Sequence, residues 1–181
     1  MSDPTTAHVD EREARRVAEA ARETSWRRPS FAKQLYLGRF RLDLIHPHPR
    51  SSAEEAQHTH AFLEQLRAVC ESELDGSVIE REAVIPDQYV KALARIGTFG
   101  MKIPREYGGL GLTQVGYSRA LMLLGDVHPS LGALISAHQS IGVPEPVKLF
   151  GSAEQKQAFL PRCARGAISA FLLTEPDVGS D

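Results

Sequence analysis

Residues 173–181, LTEPDVGSD, carry the densest set of groups that could do chemistry. Thr174 offers a hydroxyl that can donate or accept a hydrogen bond. Gly179 and Ser180 offer backbone N–H groups of the kind that anion-binding turns use. A continuous apolar run of strand length, 168–173, leads into them. At the end of a strand these groups would form a polar lip suited to a phosphorylated, planar ligand; the alternative is a simple proline turn.

The glycine-rich segment 108–114, GGLGLTQ, resembles a dinucleotide-binding fingerprint only in part. Gly109 and Gly111 fit its first two glycines, but Gln114 occupies the third position and no predicted strand precedes the segment. A turn that requires positive φ angles explains these glycines better.

Two further motifs lack the context that their chemistry requires. The segment 138–142, HQSIG, resembles a nucleophile elbow around Ser140, but an elbow follows a strand and here the surrounding pattern is helical. The histidine pairs could suggest a metal site. However, residues two apart point to different sides of a helix, and no cysteine or carboxylate completes a ligand set. We interpret them as surface or turn histidines: His46, His48, His58 and His60.

The composition is that of an ordinary globular protein. The 181 residues are 42% apolar and 24% charged, with a formal net charge of −2. This is enough for one domain with a core and argues against nucleic-acid binding. Cys70 and Cys163 are far apart, so a reducing compartment is expected rather than a disulfide scaffold. Because the N-terminus lacks an apolar signal segment and no apolar run could span a bilayer, we predict a cytoplasmic protein without a membrane span.

The chain is predicted to be mostly helical. In the helix at 51–74, the residues Ala61, Phe62, Leu66 and Val69 form an apolar face. In the helix at 113–124, the last five residues are nearly all apolar, which predicts deep burial. Cap spacings, prolines and apolar stripes place the remaining helices at about 10–24, 30–37, 86–97, 129–141, 143–150 and 152–160.

The helix predicted at 129–141 is crowded with small residues, among them Gly132, Ser136 and Ser140. Close packing against another helix would explain them. A slot in which a long, thin apolar ligand lies would explain them equally well. These residue types alone leave both interpretations open.

Four blocks in this order resemble the acyl-CoA dehydrogenases, flavoenzymes that oxidise acyl-CoA thioesters at the α,β carbons. The blocks are IPREYGGLGL, LGALISAHQSIGVPEPVKLFG, SAEQKQAFLPRCARG and AFLLTEPDVGSD, and the resemblance covers about 76–181. The AHQSIG stretch is most similar to the members that act on long and very long chains. In the last block the matching residues are Thr174, Glu175, Pro176, Gly179, Ser180 and Asp181.

The resemblance implies an all-α fold, the N-terminal helical domain of this family, ending in the first strand of a truncated β-barrel domain. We divide the chain into an N-terminal helical extension, 1–75, the helical domain proper, 76–167, and the first strand and FAD loop, 168–181. In the extension, the segment 30–40 could dock on the enzyme or on a partner, but we favour packing. The rest of the barrel and a C-terminal helix bundle would be missing, so the chain is expected to be an N-terminal part that is inactive alone.

The resemblance also assigns residues to the cofactor, which would be FAD. Phe171, Leu173 and Thr174 would lie along the flavin ring, with Thr174 bonded to its pyrimidine end. Gly179 and Ser180 would reach the pyrophosphate.

The substrate would be an acyl-CoA, with Ser180 near its thioester and Ser130, Ala133 and Ala137 along the acyl slot. In such a reaction a carboxylate removes the α-proton while the β-hydrogen leaves as hydride to the flavin. The family's catalytic glutamate lies in the C-terminal bundle, so no catalytic residue is assigned here, and Glu175 belongs to the cofactor loop.

The resemblance further implies an electron-acceptor flavoprotein as partner and a homo-oligomer as assembly. Two other functions remain open at this point. One is a truncated helical interaction module that associates with an intact family member. The other is a variant with altered flavin chemistry, such as an oxygen-using oxidase.

Overall fold

The computed structural model describes residues 12, 16, 29–48 and 50–170. The chain divides into two compact units, Met1–Arg50 and Ser51–Asp181. The second unit therefore includes the 51–74 helix, which the sequence analysis assigned to the extension. Of the helix predicted at 10–24, Arg12 and Arg16 are helical and the other residues lie outside the described ones.

The first unit holds one short helix, α1 (Phe31–Tyr36), among its residues from 29 to 50. It begins at Ser30, whose side chain accepts a hydrogen bond from the Lys33 backbone N–H (3.3 Å). A 3-10 turn, Leu42–Leu44, follows. No described residue of this segment is buried, and its local contacts include the edge-to-face pair of Phe31 and Phe40.

The second unit is helical throughout its described part. Its helices are α2 (Ala53–Glu73), α3 (Gly76–Glu82), α4 (Asp87–Arg95), α5 (Gln114–Val127), α6 (Pro129–Ser140), α7 (Pro144–Phe150) and α8 (Ala153–Ala164). Two 3-10 turns, Thr98–Gly100 and Arg105–Tyr107, lie in the connection between α4 and α5. The all-α fold class is thus confirmed for the residues described.

Side-chain caps set the beginnings of most of these helices, with α4 and α7 as the exceptions. Ser52 before α2 and Ser152 before α8 each form a capping box, with Glu55 and Gln155 returning the hydrogen bond. The spacing of Ser152 and Gln155 predicts the second box; the spacing of Asp10 and Glu13 predicts another, which lies outside the described residues. These caps satisfy N–H groups that a helix otherwise leaves without partners.

The core lies where α2, α4, α5 and α6 pack together. The apolar face of α2 is buried as predicted, except for Ala61, which is exposed. A second cluster joins α8 to the connection between α4 and α5 through Ile103 and Leu160. The side chains at the centre have no measurable exposure: Leu66, Leu93, Phe99, Met101, Leu124, Leu131, Ile135 and Leu160.

Three local predictions differ from the structure. Helix α3 was not predicted, because seven residues with one buried side chain, Ile79, give too weak a periodic signal. Helix α8 runs past Pro161, since Cys163 and Ala164 continue the buried stripe of Leu160. Residues 168–170 are not in a strand, and the rest of the predicted strand lies outside the described residues.

Candidate functional site

The glycine-rich connection is a tight turn, as its residue types predicted. Gly108 and Gly111 have φ angles of 80° and 59°, which favour glycine. A Cβ on Gly109 would lie 2.1 Å from the Ile103 carbonyl oxygen. The segment hydrogen-bonds back along the chain, for example from Leu112 N to Met101 O (2.7 Å). These glycines therefore shape a protein turn that supports the start of α5.

Helix α6 uses its small residues in two ways. A Cβ on Gly132 would come within 3.7 Å of the Leu121 carbonyl oxygen and 3.9 Å of the Gly125 amide nitrogen, so α5 and α6 approach closely there. Ala133 and Ala137, one turn apart, are instead exposed. On α5 the side chain of Met122 is 70% exposed, although deep burial was predicted for its stretch. Helix α6 thus packs closely on one side through Gly132 and exposes small residues at Ala133 and Ala137.

Ser130 stands at the N-terminal end of α6, beside a cavity of about 400 Å³. The backbone N–H of Ser130 donates to His128 Nδ1 (3.1 Å). The other imidazole nitrogen of His128 lies 3.1 Å from a carboxylate oxygen of Glu80. The cavity is lined by Ile79, Glu80, Ala83, Val84, Ile85, His128 and Ser130.

The last turn of α6 buries two polar side chains, His138 and Gln139, which are 1% and 0% exposed. The Gln139 side-chain amide donates to the carbonyls of Thr98 (3.1 Å) and Phe99, and its oxygen accepts from Lys102 N (3.1 Å). His138 Nε2 lies 3.2 Å from the Phe99 carbonyl oxygen. This pair therefore satisfies the backbone of the buried 3-10 turn between α4 and α5.

Ser169 binds the other side of the same imidazole. Its backbone N–H and its hydroxyl lie 3.2 Å and 2.9 Å from His138 Nδ1. The Ser169 hydroxyl oxygen also accepts from Val143 N (3.2 Å). Because a side chain on Gly142 would place Cβ 2.4 Å from this oxygen, glycine is needed beside it.

A half-buried charged cluster joins α5, α7 and the connection between α4 and α5. Glu145 bonds Lys148 (2.8 Å) and Lys102 (3.3 Å), and Lys102 Nζ lies 5.3 Å from the centre of the Tyr117 ring. Burial would raise the pKa of Glu145, but the hydrogen bond and charge of Lys148, with the charge of Lys102, outweigh it and lower the pKa. The cluster joins the residue after Met101 to the first turn of α7.

In the nucleophile-elbow segment and the histidine pairs, the side chains are either hydrogen-bonded within the fold or exposed. Ser140 is the last residue of α6, and its hydroxyl lies 3.1 Å from the Tyr117 hydroxyl, so it is not on a strand-to-helix elbow. His58 Nε2 lies 2.9 Å from the Leu110 carbonyl oxygen, while His46 and His60 are exposed. Among the described residues, no three metal-binding side chains come together.

The five predicted cofactor residues lie outside the described part of the chain: Phe171, Leu173, Thr174, Gly179 and Ser180. The structure does show the hydrogen bonds that hold Ser169, five positions before Thr174; His138, Gly142 and Val143 form this seat of Ser169. The sequence analysis did not identify it. The buried histidine in HQSIG was its only signal, and we had interpreted that segment through its serine. Within the described residues, no helix is both long and apolar enough to cross a membrane.

The helical fold of the second unit is that of the N-terminal domain of a known enzyme family. Residues 56–167 match the family model described as acyl-CoA dehydrogenase, N-terminal domain, and the chain belongs to the acyl-CoA dehydrogenase family.

Two relatives show how much of such a protein the chain represents. It is 65% identical over 173 residues to probable acyl-CoA dehydrogenase FadE10 of Mycobacterium tuberculosis, covering 96% of this chain and 26% of that protein. It is 34% identical over 154 residues to the mitochondrial very long-chain specific acyl-CoA dehydrogenase of Mus musculus, covering 84% and 23%. The chain therefore spans about a quarter of the length of these relatives.

Three solved structures are similar over 72% of this chain. A structure reported for the electron transferring flavoprotein of Acidaminococcus fermentans matches with a TM-score of 0.59 and 29% identity, covering 34% of that chain. Butyryl-CoA dehydrogenase from Megasphaera elsdenii matches with a TM-score of 0.57 and 25% identity, again over 34%. An acyl-CoA dehydrogenase complexed with FAD from Bacillus anthracis matches with a TM-score of 0.50 and 28% identity, over 22%.

Proposed function

We propose that this chain is the N-terminal part of an FAD-dependent enzyme that dehydrogenates long-chain acyl-CoA at the α,β carbons, in fatty-acid β-oxidation. The observation that carries the proposal is the exposed row of small side chains on α6 in a chain that belongs to this family. Ala133 and Ala137 are exposed, one turn apart, while other positions of the same helix, such as Ile135, are buried. A face of small side chains suits an extended acyl chain.

For the cofactor, we propose that residues 168–181 open the middle domain and form one wall of an FAD site. When bound, FAD would accept the hydride from the substrate. The donor set fits this role: Thr174 has a hydroxyl for the flavin ring, and Gly179 and Ser180 have backbone N–H groups for phosphate. Phe171 and Leu173 would exclude water from the ring. Ser180 would also orient the thioester, and Ser130 would lie at the far end of the acyl face.

The catalytic base is not among the roles that we assign to these residues. By the family resemblance it is a glutamate in a later helical bundle, and Glu175 stays with the cofactor loop. We therefore expect the 181-residue chain to be inactive alone and to bind FAD weakly, because one wall of a site leaves the flavin ring exposed to water. A cytoplasmic location, a homo-oligomeric assembly and an electron-acceptor flavoprotein as partner belong to the same proposal.

The test is an FAD titration followed by reduction of the bound flavin with acyl-CoA. The gene product that contains this chain together with a barrel and a helix bundle should bind FAD and be bleached by palmitoyl-CoA, with less effect from butyryl-CoA. An FAD-loaded protein that no acyl-CoA reduces would contradict the proposal.

The acyl slot is tested by Ala137→Phe in the same enzyme. A ring on the open face should raise KM for palmitoyl-CoA far more than for a short substrate, because the tail and the ring compete for the same space. Ala68→Phe, which places the same ring on an exposed position of α2, is the control. Equal effects of the two variants would remove Ala137 from the slot.

A second candidate, a helical interaction module, is favoured by the exposed apolar side chains of α7. Leu149 and Phe150 are 58% and 85% exposed, and surface of this kind commonly marks contacts. If the 181-residue chain stays colourless with FAD but elutes together with an intact family member on gel filtration, this second function replaces the first.

A further inference from the structure

Ser169 is hydrogen-bonded to the imidazole of His138 near the end of α6, and the other nitrogen of this imidazole is bonded to the Phe99 carbonyl. We propose that His138 is a positioning residue that holds Ser169 and thereby sets where the chain enters the predicted FAD loop. The inference rests on the proposed function, because only that function gives the loop a cofactor to hold.

The tautomer of His138 follows from its hydrogen bonds to Phe99 and Ser169. The Phe99 carbonyl can only accept a hydrogen bond, so the proton lies on Nε2 (3.2 Å), and Nδ1 is left with a lone pair. Both Ser169 donors point at that lone pair, at 3.2 Å and 2.9 Å. Burial lowers the pKa of His138, and this keeps the imidazole neutral even though the Phe99 and Cys163 backbones favour its charged form.

The rest of the seat is built for the same serine. The Ser169 hydroxyl donates to Nδ1 and accepts from Val143 N (3.2 Å), so its donor and one of its two acceptor lone pairs are used. Gly142 leaves the space that this hydroxyl fills, since a Cβ there would lie 2.4 Å from the oxygen. Three consecutive elements, the end of α6, the Gly142 turn and the start of α7, therefore converge on one residue.

The seat matters because it is close to the loop along the chain. Thr174 comes five positions after Ser169 in the sequence, and an extended chain spans at most about 3.3–3.6 Å per residue. Thr174 therefore cannot lie farther than roughly 18 Å from Ser169. Fixing Ser169 removes conformational freedom from the approach to the loop, and preorganisation of this kind raises the affinity for a ligand.

The experiment relies on two amide side chains, each of which reproduces the hydrogen bond of one imidazole nitrogen. His138→Asn places an oxygen near the position of Nδ1 and can still accept from Ser169. His138→Gln reaches the position of Nε2 and can still donate to Phe99 but leaves Ser169 without its acceptor. Ser169→Ala removes the hydroxyl from the other side. Gln139→Met, in the next residue of the same helix, disturbs the bonds to Thr98 and Phe99 without touching Ser169.

The first measurement is amide hydrogen exchange of Ser169 by NMR in the 181-residue chain, which needs no cofactor. Wild type and His138→Asn should protect this amide, and His138→Gln should raise its exchange rate at least about fivefold, the size expected for one lost hydrogen bond. Gln139→Met should leave unchanged the ratio between the exchange rate of the Ser169 amide and the exchange rates of the amides in the core of α6. If His138→Gln changes exchange no more selectively than Gln139→Met, the positioning role is wrong.

The second measurement is the FAD dissociation constant of the complete enzyme. His138→Gln and Ser169→Ala should each weaken FAD binding by about fivefold or more, and His138→Asn should restore it to near the wild-type value. Unchanged affinity in His138→Gln and Ser169→Ala would overturn the inference even if the enzyme oxidises acyl-CoA. A wild-type enzyme that binds no FAD would instead refute the proposed function, while the exchange result would still decide the seat of Ser169.

Discussion

Gly116 of α5 and Thr59 of α2 are in contact, such that a Cβ on Gly116 would lie 2.9 Å from Cγ2 and 3.0 Å from Oγ1 of the threonine. Thr59 is 9% exposed, and its branched side chain has little freedom to move away. The two helices that form much of the core therefore meet at a glycine.

Replacing this glycine should destabilise the fold. We expect Gly116→Ala to lower the free energy of unfolding by about 1–3 kcal/mol, because the methyl group overpacks the contact with Thr59. Gly125→Ala in the same helix is the matched control, since nothing lies within 4 Å of its Cβ position. There the better helix propensity of alanine should raise stability by about 0.5–1 kcal/mol. Urea unfolding followed by circular dichroism measures both, and equal effects of the two variants would contradict the packing argument.

Thr98 carries a buried hydroxyl that has no hydrogen-bond partner among the described residues. Thr98→Val keeps the shape and removes the unsatisfied group, so we expect it to be neutral or to raise stability by about 1 kcal/mol. Thr98→Ser keeps the hydroxyl and removes a methyl group, which should destabilise. Thermal unfolding of the three proteins tests the order valine, threonine, serine. A valine variant that loses more than about 1 kcal/mol would show that the hydroxyl is bonded in solution.

The stability of the fold should depend on pH through His138. Burial lowers its pKa below the ordinary value of 6.5. As the pH falls through 6.5, the unfolded chain takes up a proton before the folded chain does, so stability present above this pH is lost towards the lower, folded pKa. We expect the urea midpoint to fall between about pH 7 and pH 5.5 and to fall less in His138→Asn. Identical pH slopes in the two proteins would rule out this contribution.

The two thiols should be unreactive in the folded chain. Burial raises the pKa of Cys70 to about 11 and also raises the pKa of Cys163. Since the thiolate is the reactive form, iodoacetamide at pH 8 should label neither residue until the protein unfolds. Mass spectrometry of the native and urea-treated chain measures this. Labelling of Cys163 in the folded protein at the rate of a free cysteine would show that α8 opens.

Much of the helical part could be predicted because its signals are local. The starts of α2 and α8 follow from serine caps with a partner three residues on, and the glycine turn at 108–111 follows from positions that need positive φ. Helix α3 escaped prediction since its seven residues are too few for a clear period. The end of α8 was misjudged because burial of Cys163 and Ala164 outweighed the usual effect of Pro161.

The candidate site could be predicted only in outline. The order of the family's blocks indicated an acyl face on the helix at 129–141, and the structure contains that helix as α6. The sequence could not show that Gly132 faces α5 while Ala133 and Ala137 remain open, because which side of a helix is covered depends on its neighbours. For the same reason Met122 was expected in the core and is exposed.

The sequence by itself determined the family, through the order of its blocks, and most of the helices, since a helix and its cap depend on residues within a few positions of one another. Only the tertiary structure decided that His138 is buried against Phe99 and bonded to Ser169, 39 and 31 positions away along the chain. A hydrogen bond of that kind has no period and no local signature. It forms because packing of α6 on the core buries the imidazole, and the chain returns there with Ser169, which supplies two donors to Nδ1.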